Sequence, residues 1–325
     1  MCLNNLIIII EECIMKVLVT GGTGLVGNGI KDNISENELC NYIFLSSKDG
    51  DLRNYSQTEE IFKKYKPDYV IHLAAKVGGL FTNMKHKADF YYENNLINNN
   101  VVHLCYVYKV KKLVSCLSTC IFPDHTSYPI DETMLHNGIC HSSNLGYGMV
   151  KRMIDVQNKV YNDQFGCNFT SVIPTNVYGK FDNFNLQDSH LIPALIRKCY
   201  EAKLNGKPFV VMGSGTPLRQ FIDSRDLGKL ILWVLFNYPE ISPIILSVNE
   251  SQEVTIRYVA EIIKKCVGYP NEITWDSDKA DGQYKKTACN DKLLKYLPGF
   301  KFRDFETSIQ ETVDWFIENY DLTRK

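Results

Sequence analysis

The sequence predicts an α/β protein: a doubly wound parallel sheet with helices on both faces, followed by a smaller C-terminal α/β domain. Three observations predict it. Short apolar runs alternate with helical stretches from Met15 onward, the rhythm of a parallel sheet covered on both sides. A glycine turn, TGGTGLVG, directly follows the first of those runs. After Pro174 the rhythm breaks into loop residues, NVYGKFDNFN, before regular elements resume.

The elements follow in order. Lys16 to Thr20, Tyr42 to Leu45, Tyr69 to Leu73, Lys112 to Leu117 and Phe169 to Ile173 are apolar or β-branched runs suited to buried strands. SQTEEIFKKY reads as a helix opened by a capping box of Ser56 and Glu59. A longer helix is expected from about Asp89 to Lys109, where the Asn-rich NNLINNN is taken as compositional bias. Beyond Pro174 come a helix from Ile192 to Asn205, a strand FVVM, and a turn GSGTP leading to Arg219. Arg225 to Phe236 is apolar on nearly all sides, so it is expected between layers, as part of a return to the first domain near residues 221–240. Amphipathic helices near Thr255 to Val267 and Phe305 to Asn319 close the chain. This divides it into a disordered extension at residues 1–14, a dinucleotide-binding domain at 15–178 and a substrate domain at 179–325.

Composition narrows the function. With 325 residues, 45% hydrophobic and 22% charged, the chain matches ordinary soluble globular proteins. Thirty-six Lys and Arg against 37 Asp and Glu leave a net charge of −1, so no general pull toward nucleic acid or anionic membrane is expected. Eleven Cys without a CxxC pair suit reduced thiols in the cytoplasm better than a disulfide framework or a metal site. Leu6 to Ile10 is too short for a signal-peptide core of ~7 to 15 residues or a membrane span of ~18.

The glycine turn points to a dinucleotide. Gly21, Gly24 and Gly27, with Leu25 and Val26 at the start of the next helix, place backbone N–H groups where a pyrophosphate can approach, which makes the first domain Rossmann-type. An NAD-preferring site carries an acid at the end of the second strand; here Ser46, Ser47 and Lys48 stand there, and neutral donors with a cation favour a 2′-phosphate, hence NADP(H). Asp51 and Leu52 follow where a loop can meet the adenine.

Tyr147 and Lys151 stand four apart in GYGMVK, on one face of a helix. Tyr108 and Lys112 share that spacing but straddle a helix end and a strand start. A phenol of ordinary pKa ~10 is a reluctant acid. An ammonium ~4 Å away is worth about 4 kcal/mol, or roughly three pKa units at most, enough to bring the phenol near neutrality. Ser118, at a strand end, is placed to donate to the same substrate oxygen.

TGGTGLVG, HLAAKVGG, SCLSTCIFP, YGMVK and PTNVYG together resemble the extended short-chain dehydrogenase/reductase family that acts on nucleotide sugars. YPIDETMLHNG, KRMIDVQN, SHLIPALI, GSGTPLRQF and DGQYKKTA bring the likeness closest to its GDP-sugar epimerase/reductases, from about Met15 to Tyr320. The resemblance implies epimerisation of a GDP-linked 4-keto-6-deoxy hexose at C3 and C5, then NADPH reduction at C4. It assigns reduction to Ser118, Tyr147 and Lys151, and epimerisation to Cys120 and His190. It sets Ala74, Ala75, Pro174, Asn176 and Val177 beside the cofactor, and Lys198, Met212, Arg219 and Asp281 on the substrate. It also implies a homodimer built through helices on one face of the first domain.

Both C3 and C5 are α to the C4 ketone, so a base on one face and an acid on the other suffice, and thiol and imidazole both titrate near operating pH. A free Cys or His in isolation is more often packing; the motif reverses that expectation for Cys120. Two departures stand out: Met212 replaces an aromatic residue beside the guanosine, and Thr23 replaces an Arg of the glycine loop, leaving the 2′-phosphate to Ser47 and Lys48. The competing readings are an NAD-dependent nucleotide-sugar 4-epimerase, which needs no reactive Cys, and a non-catalytic dinucleotide sensor, which has no need of both Tyr147 and Lys151.

Overall fold

The computed structural model describes residues 14–35, 40–277 and 284–325, with Leu80 and Phe81 described by backbone alone. The N-terminal extension, apart from Ile14, and Asp281, expected on the substrate, lie outside the described residues. Among the described residues twelve strands and ten α-helices follow in order: β1 Met15–Thr20, α1 Leu25–Lys31, β2 Cys40–Phe44, α2 Tyr55–Tyr65, β3 Tyr69–His72, α3 Leu80–Lys85, α4 Lys87–Val107, β4 Lys112–Cys116, α5 Leu145–Phe165 and β5 Phe169–Pro174. After them come β6 Asn176–Tyr178, α6 Leu191–Asn205, β7 Val210–Met212, β8 Leu218–Arg219, β9 Phe221–Asp223, α7 Ser224–Asn237 and β10 Ile244–Leu246. The last are β11 Val254–Thr255, α8 Ile256–Val267, β12 Thr274–Asp276, α9 Asp291–Tyr296 and α10 Phe305–Glu318.

The main sheet runs β2-β1-β3-β4-β5-β10, parallel throughout. The chain leaves β1 toward β2 and returns to the other side of β1 as β3, so the strand order reverses there. Ligands of such sheets bind at the carboxyl ends of the strands flanking that reversal. The Rossmann-type expectation holds. The sixth strand was not expected, because Ile244–Leu246 is only three residues long and owes its pairing to β5.

One helix N-terminus differs from expectation. Ser56 lies inside α2, whose cap is Asn54, accepting from the Gln57 N–H. Asn54 ends the preceding turn and reaches the first free N–H groups before Ser56 can. Glu59 instead pairs with Lys63 at 2.7 Å.

Helix α7 packs against β1 and α1. Leu227, Leu230, Ile231 and Val234 share one core with Val17, Val19 and Ile30. Contact is backbone to backbone: a Cβ on Gly29 would lie 2.0 Å from the Ser224 carbonyl oxygen, and one on Gly228 would lie 2.3 Å from that of Gly29. Ile244, Leu246 and Leu293 join the same core, so later segments also pack on the main sheet. The second core gathers α6, α8 and α10 around Phe184, Ile196, Ile263 and Phe316. Among the described residues no helix is long and apolar enough to cross a membrane, and no group of side chains could hold a metal ion.

Two measurements check this packing. Gly228→Ala should cost about 1–3 kcal/mol through overpacking, read as a lower denaturant midpoint; an unchanged midpoint contradicts the close crossing. Asp182 is buried with one carboxylate oxygen unpartnered, and burial raises its pKa from 3.8 to about 7. The unfolded chain therefore loses this proton first, so the stability contribution is full below about 3.8, falls as pH rises toward about 7, and is flat above. Asp182→Asn should flatten that decline in a pH series of denaturant midpoints.

Candidate functional site

The glycine turn sits at the reversal point. Gly21 has φ +66°, and a Cβ there would meet the Ala74 N at 2.9 Å, so β1 and the Ala74–Ala75 loop close on each other only because position 21 is glycine. Gly24 caps α1 without any side-chain hydrogen bond, leaving first-turn N–H groups for a ligand. Thr20 Oγ1 accepts from the Leu73 and Ala74 N–H groups at 3.2 and 3.1 Å and lies 2.8 Å from His72 Nδ1. His72 Nε2 lies 3.1 Å from Asn98 Oδ1. Burial, then the Lys151 charge, pushes His72 down to about 3, so this buried chain is neutral and structural.

After β2, Ser47 and Lys48 are exposed, and the nearest acid, Asp49, is turned back onto Ser46, accepting from its N–H at 2.7 Å and its hydroxyl at 2.9 Å. These hydrogen bonds hold Asp49 below the usual carboxylate range. Ser46, Ser47 and Lys48 carry no carboxylate, and Asp49 is engaged by Ser46, which fits a 2′-phosphate. Asp51 is held by Arg53 at 2.8 Å; Arg53 also pairs with Glu93 at 2.7 Å, and Glu93 with Lys76. Arg53 and Lys76 were not singled out in the sequence.

Nor was the Asn-rich helix. Asn94 accepts from the Lys76 N–H at 2.8 Å and donates to the Lys76 carbonyl at 3.0 Å, while Asn100 donates to the Leu52 carbonyl at 2.9 Å. These amides pin both loops that frame the cofactor region. The bias reading of NNLINNN is corrected: a side-chain amide can satisfy a loop N–H and C=O together.

The catalytic candidates come from β4 and α5. Ser118 Oγ accepts from the Cys120 N–H at 3.3 Å, which leaves its own proton to donate. Tyr147 opens α5, its ring edge-on to Phe90 with centroids 6.3 Å apart. Lys151 is buried one turn on and donates from Nζ to the Cys116 carbonyl at 2.8 Å. The expected lowering of the phenol is absent: burial, then Cys120 and Cys116, raises Tyr147, and among the described residues its hydroxyl makes no hydrogen bond. Burial lowers Lys151. Tyr147 is thus held protonated, and as a weaker acid than a free phenol. In the other pair, Lys112 is buried under the end of α7, donating to Val234 and Tyr238 carbonyls at 2.7 and 2.5 Å, so it has no part in the site.

His190 precedes α6 and is open to solvent. The crowded atoms around it lower its pKa by desolvation, an effect that water in an open cleft weakens. Its loop docks beside the site, since a Cβ on Gly79 would lie 3.0 Å from the Ser189 carbonyl oxygen, and one on Gly78 would lie 3.0 Å from the Phe90 ring. Among the described residues no hydrogen bond joins His190 to Cys120.

Asn176 donates from Nδ2 to the Gln220 carbonyl at 2.9 Å. Gln220, missed in the sequence, is a buried hub: Nε2 donates to the Val248 and Ala288 carbonyls at 2.9 and 3.1 Å, and Oε1 accepts from the Ala288 N–H at 2.7 Å. Pro174 and Val177 flank that loop in β5 and β6. Lys198 and Met212 line one cleft of about 320 Å³ with Glu201, Asn205 and Lys207, and burial lowers Lys198. Arg219, which does not line that cleft, is within electrostatic reach of Glu253, Tyr128 and Cys120.

The family model described as the NAD dependent epimerase/dehydratase family matches residues 17–247. The chain belongs to that family. It is 53% identical over 311 residues to GDP-L-fucose synthase of Dictyostelium discoideum, covering 95% of this chain and 97% of that relative. A probable GDP-L-fucose synthase of Drosophila melanogaster is 52% identical over 319 residues, covering 95% and 99%. A solved GDP-L-fucose synthetase from Naegleria fowleri, bound to NADP, superposes with a TM-score of 0.92 at 48% identity, covering 96% of each chain.

Gln220→Leu should leave the Ala288 N–H buried without its partner, a loss of about 1–3 kcal/mol. The check is a lower denaturant midpoint together with weaker NADP binding; a change in neither contradicts the hub.

Proposed function

We propose that this protein makes GDP-L-fucose from GDP-4-keto-6-deoxy-D-mannose, by epimerisation at C3 and C5 followed by NADPH-dependent reduction at C4. The observation that carries the reading is the turn at the end of β4. It holds a hydroxyl, Ser118, and a thiol, Cys120, two residues apart, the Cys120 backbone N–H donating to the Ser118 hydroxyl, beside a phenol that senses the sulfur electrostatically.

The residues present fit NADPH: the Gly21–Ala74 close approach, the uncapped start of α1, and Ser47 and Lys48 where an NAD site has an acid. Leu25, Val26 and Gly27 continue that turn, and Leu52, Ala75, Pro174, Asn176 and Val177 border it. When bound, NADPH supplies the hydride for C4. The chain supplies the rest. Ser118 and Tyr147 donate to the C4 oxygen, which stabilises the enolate when either neighbouring carbon loses its proton. Cys120 and His190 exchange those carbon protons from opposite faces. At the last step Tyr147, kept protonated by its burial, gives its proton to the C4 oxygen, with Lys151 anchored one turn away to compensate the charge left on the phenol. Lys198 and Arg219 hold the diphosphate, and Met212 packs on the guanosine.

The protein acts as a cytoplasmic homodimer in this reading. Support comes from the α4 and α5 surface, where Tyr91, Tyr92, Met153 and Val160 are exposed, and from the cysteines, all free among the described residues.

The test uses NADPH and GDP-4-keto-6-deoxy-D-mannose in deuterated water. Loss of the nicotinamide absorbance with deuterium at C3 and C5 is expected; consumption of NADPH without label contradicts the epimerase half. Tyr147→Phe should lower reduction by about 10²- to 10⁴-fold while exchange persists, and Cys120→Ser should abolish exchange first. Identical failure of both variants overturns the division of roles.

A further inference from the structure

Next to Lys151 on α5 stands a second buried cation, Arg152. A buried charge is tolerated only where hydrogen bonds compensate it, and the partners of Arg152 are carbonyls and a sulfur rather than a carboxylate. Nε donates to the Ile121 carbonyl at 2.8 Å, and Nη2 donates to the same carbonyl and to Cys140 Sγ, the latter at 3.1 Å. Nη1 donates to the Gly138 carbonyl at 2.6 Å.

Those partners belong to the two segments that bring the site together. Ile121 follows Ser118 and Cys120 in the turn after β4, whereas Gly138 and Cys140 lead through His141 to the start of α5, which carries Tyr147. The segments are paired: Pro123 and Cys140 form an antiparallel bridge, and the Asp124 N–H donates to the Ile139 carbonyl at 2.9 Å. Both wall one narrow cavity, Cys120 and Phe122 from the first and His141 and Asn144 from the second. Lys286 lines it too, its Nζ 3.5 Å from Cys120 Sγ. Arg152 does not line the cavity and holds the walls from behind. Helix α5 meets the turn through its backbone, since a Cβ on Gly148 would lie 2.6 Å from the Cys120 carbonyl oxygen and 3.1 Å from Cys140 Sγ. Two neighbouring cations of α5 therefore bracket the turn, Lys151 on the Cys116 carbonyl at 2.8 Å and Arg152 on the Ile121 carbonyl. Ser118 and Cys120 lie between them.

We infer that Arg152 is a positioning residue that fixes Ser118 and Cys120 relative to Tyr147, a role that rests on the proposed work of Ser118 and Tyr147 at the C4 oxygen. Packing alone asks for no charge here, because an apolar side chain of similar volume fills such a space without desolvating a cation. A guanidinium adds a rigid planar fan of donors, able to hold one carbonyl with two N–H groups while reaching a second segment with a third. An ammonium is a point charge and cannot match that fan. Displacing a reacting group by about 1 Å costs on the order of a hundredfold in rate. The same oxygen is gripped during exchange at C3 and C5 and during reduction, so the two activities share this dependence.

Hydrogen–deuterium exchange followed by mass spectrometry, together with steady-state kinetics, tests this. In Arg152→Met, peptides spanning residues 117–124 and 137–144 should exchange faster, because the N–H groups of Cys120, Ile121 and Asp124 are held within these paired segments. The glycine-turn peptide, residues 17–27, should be unchanged. Counted per NADP-binding site, kcat should fall about 10- to 100-fold with KM for the GDP-sugar little altered, and deuterium entry at C3 and C5 should fall by the same factor as NADPH oxidation. Arg152→Lys, which keeps the charge and loses the fan, should lie between wild type and Arg152→Met, and it supplies the comparison if Arg152→Met folds poorly. Unchanged exchange in both peptides overturns the inference. So does faster exchange with an unaltered kcat, which makes the contacts structural alone, and so does a glycine turn that loosens equally. Exchange needs no turnover: if both peptides loosen but even the wild type neither labels nor reduces the GDP-sugar, the proposed function fails and the grip of Arg152 on the two segments stands.

Discussion

The clasp of Gln220 on Ala288 is the interaction on which the site depends. The Gln220 amide ties β9 to the chain at Val248 and at Ala288, while the Gln220 backbone carbonyl receives both donors of Asn176. A buried primary amide does this well because it offers donors and an acceptor in one rigid plane, and leaving any of its partners unpaired in the interior is costly. Cofactor loop, domain crossover and the strap bearing Lys286 are thereby held in one register.

Around that clasp the site divides its labour by electrostatics. The phenol of Tyr147 is driven up by burial and by nearby sulfur, which keeps it protonated. The sulfur lies 3.5 Å from the Lys286 ammonium. Burial lowers Lys151, yet its Nζ is anchored by the Cys116 carbonyl.

Much of this was legible in the sequence, and the legible parts share a cause. The strands, the glycine turn and the Tyr147–Lys151 pair are local patterns, set by residues within a few positions of one another, and the turn Ser118–Cys120 is local too. What was not legible depends on distant partners. Ile244–Leu246 is too short to announce itself and becomes a strand only beside β5. Gln220 reads as an ordinary polar residue until Ala288, 68 residues later, closes on it. Asn94 and Asn100 read as bias because their partners, Lys76 and Leu52, lie on other segments. Asn54 was legible in principle: an Asn in the turn ahead of a helix outranks a Ser already inside it. The strong lowering expected for Tyr147 failed because spacing fixes which face the lysine shares, but not which acceptor its ammonium finds.

The central claim is that sulfur, phenol and nucleotide sugar share one pocket. Protection of Cys120 measures this directly: alkylation of each cysteine is followed with and without saturating NADP and GDP-L-fucose. The account predicts that Cys120 becomes unreactive when both are bound while Cys266 continues to react. Cys120 alkylated at the same rate with the site filled would contradict it.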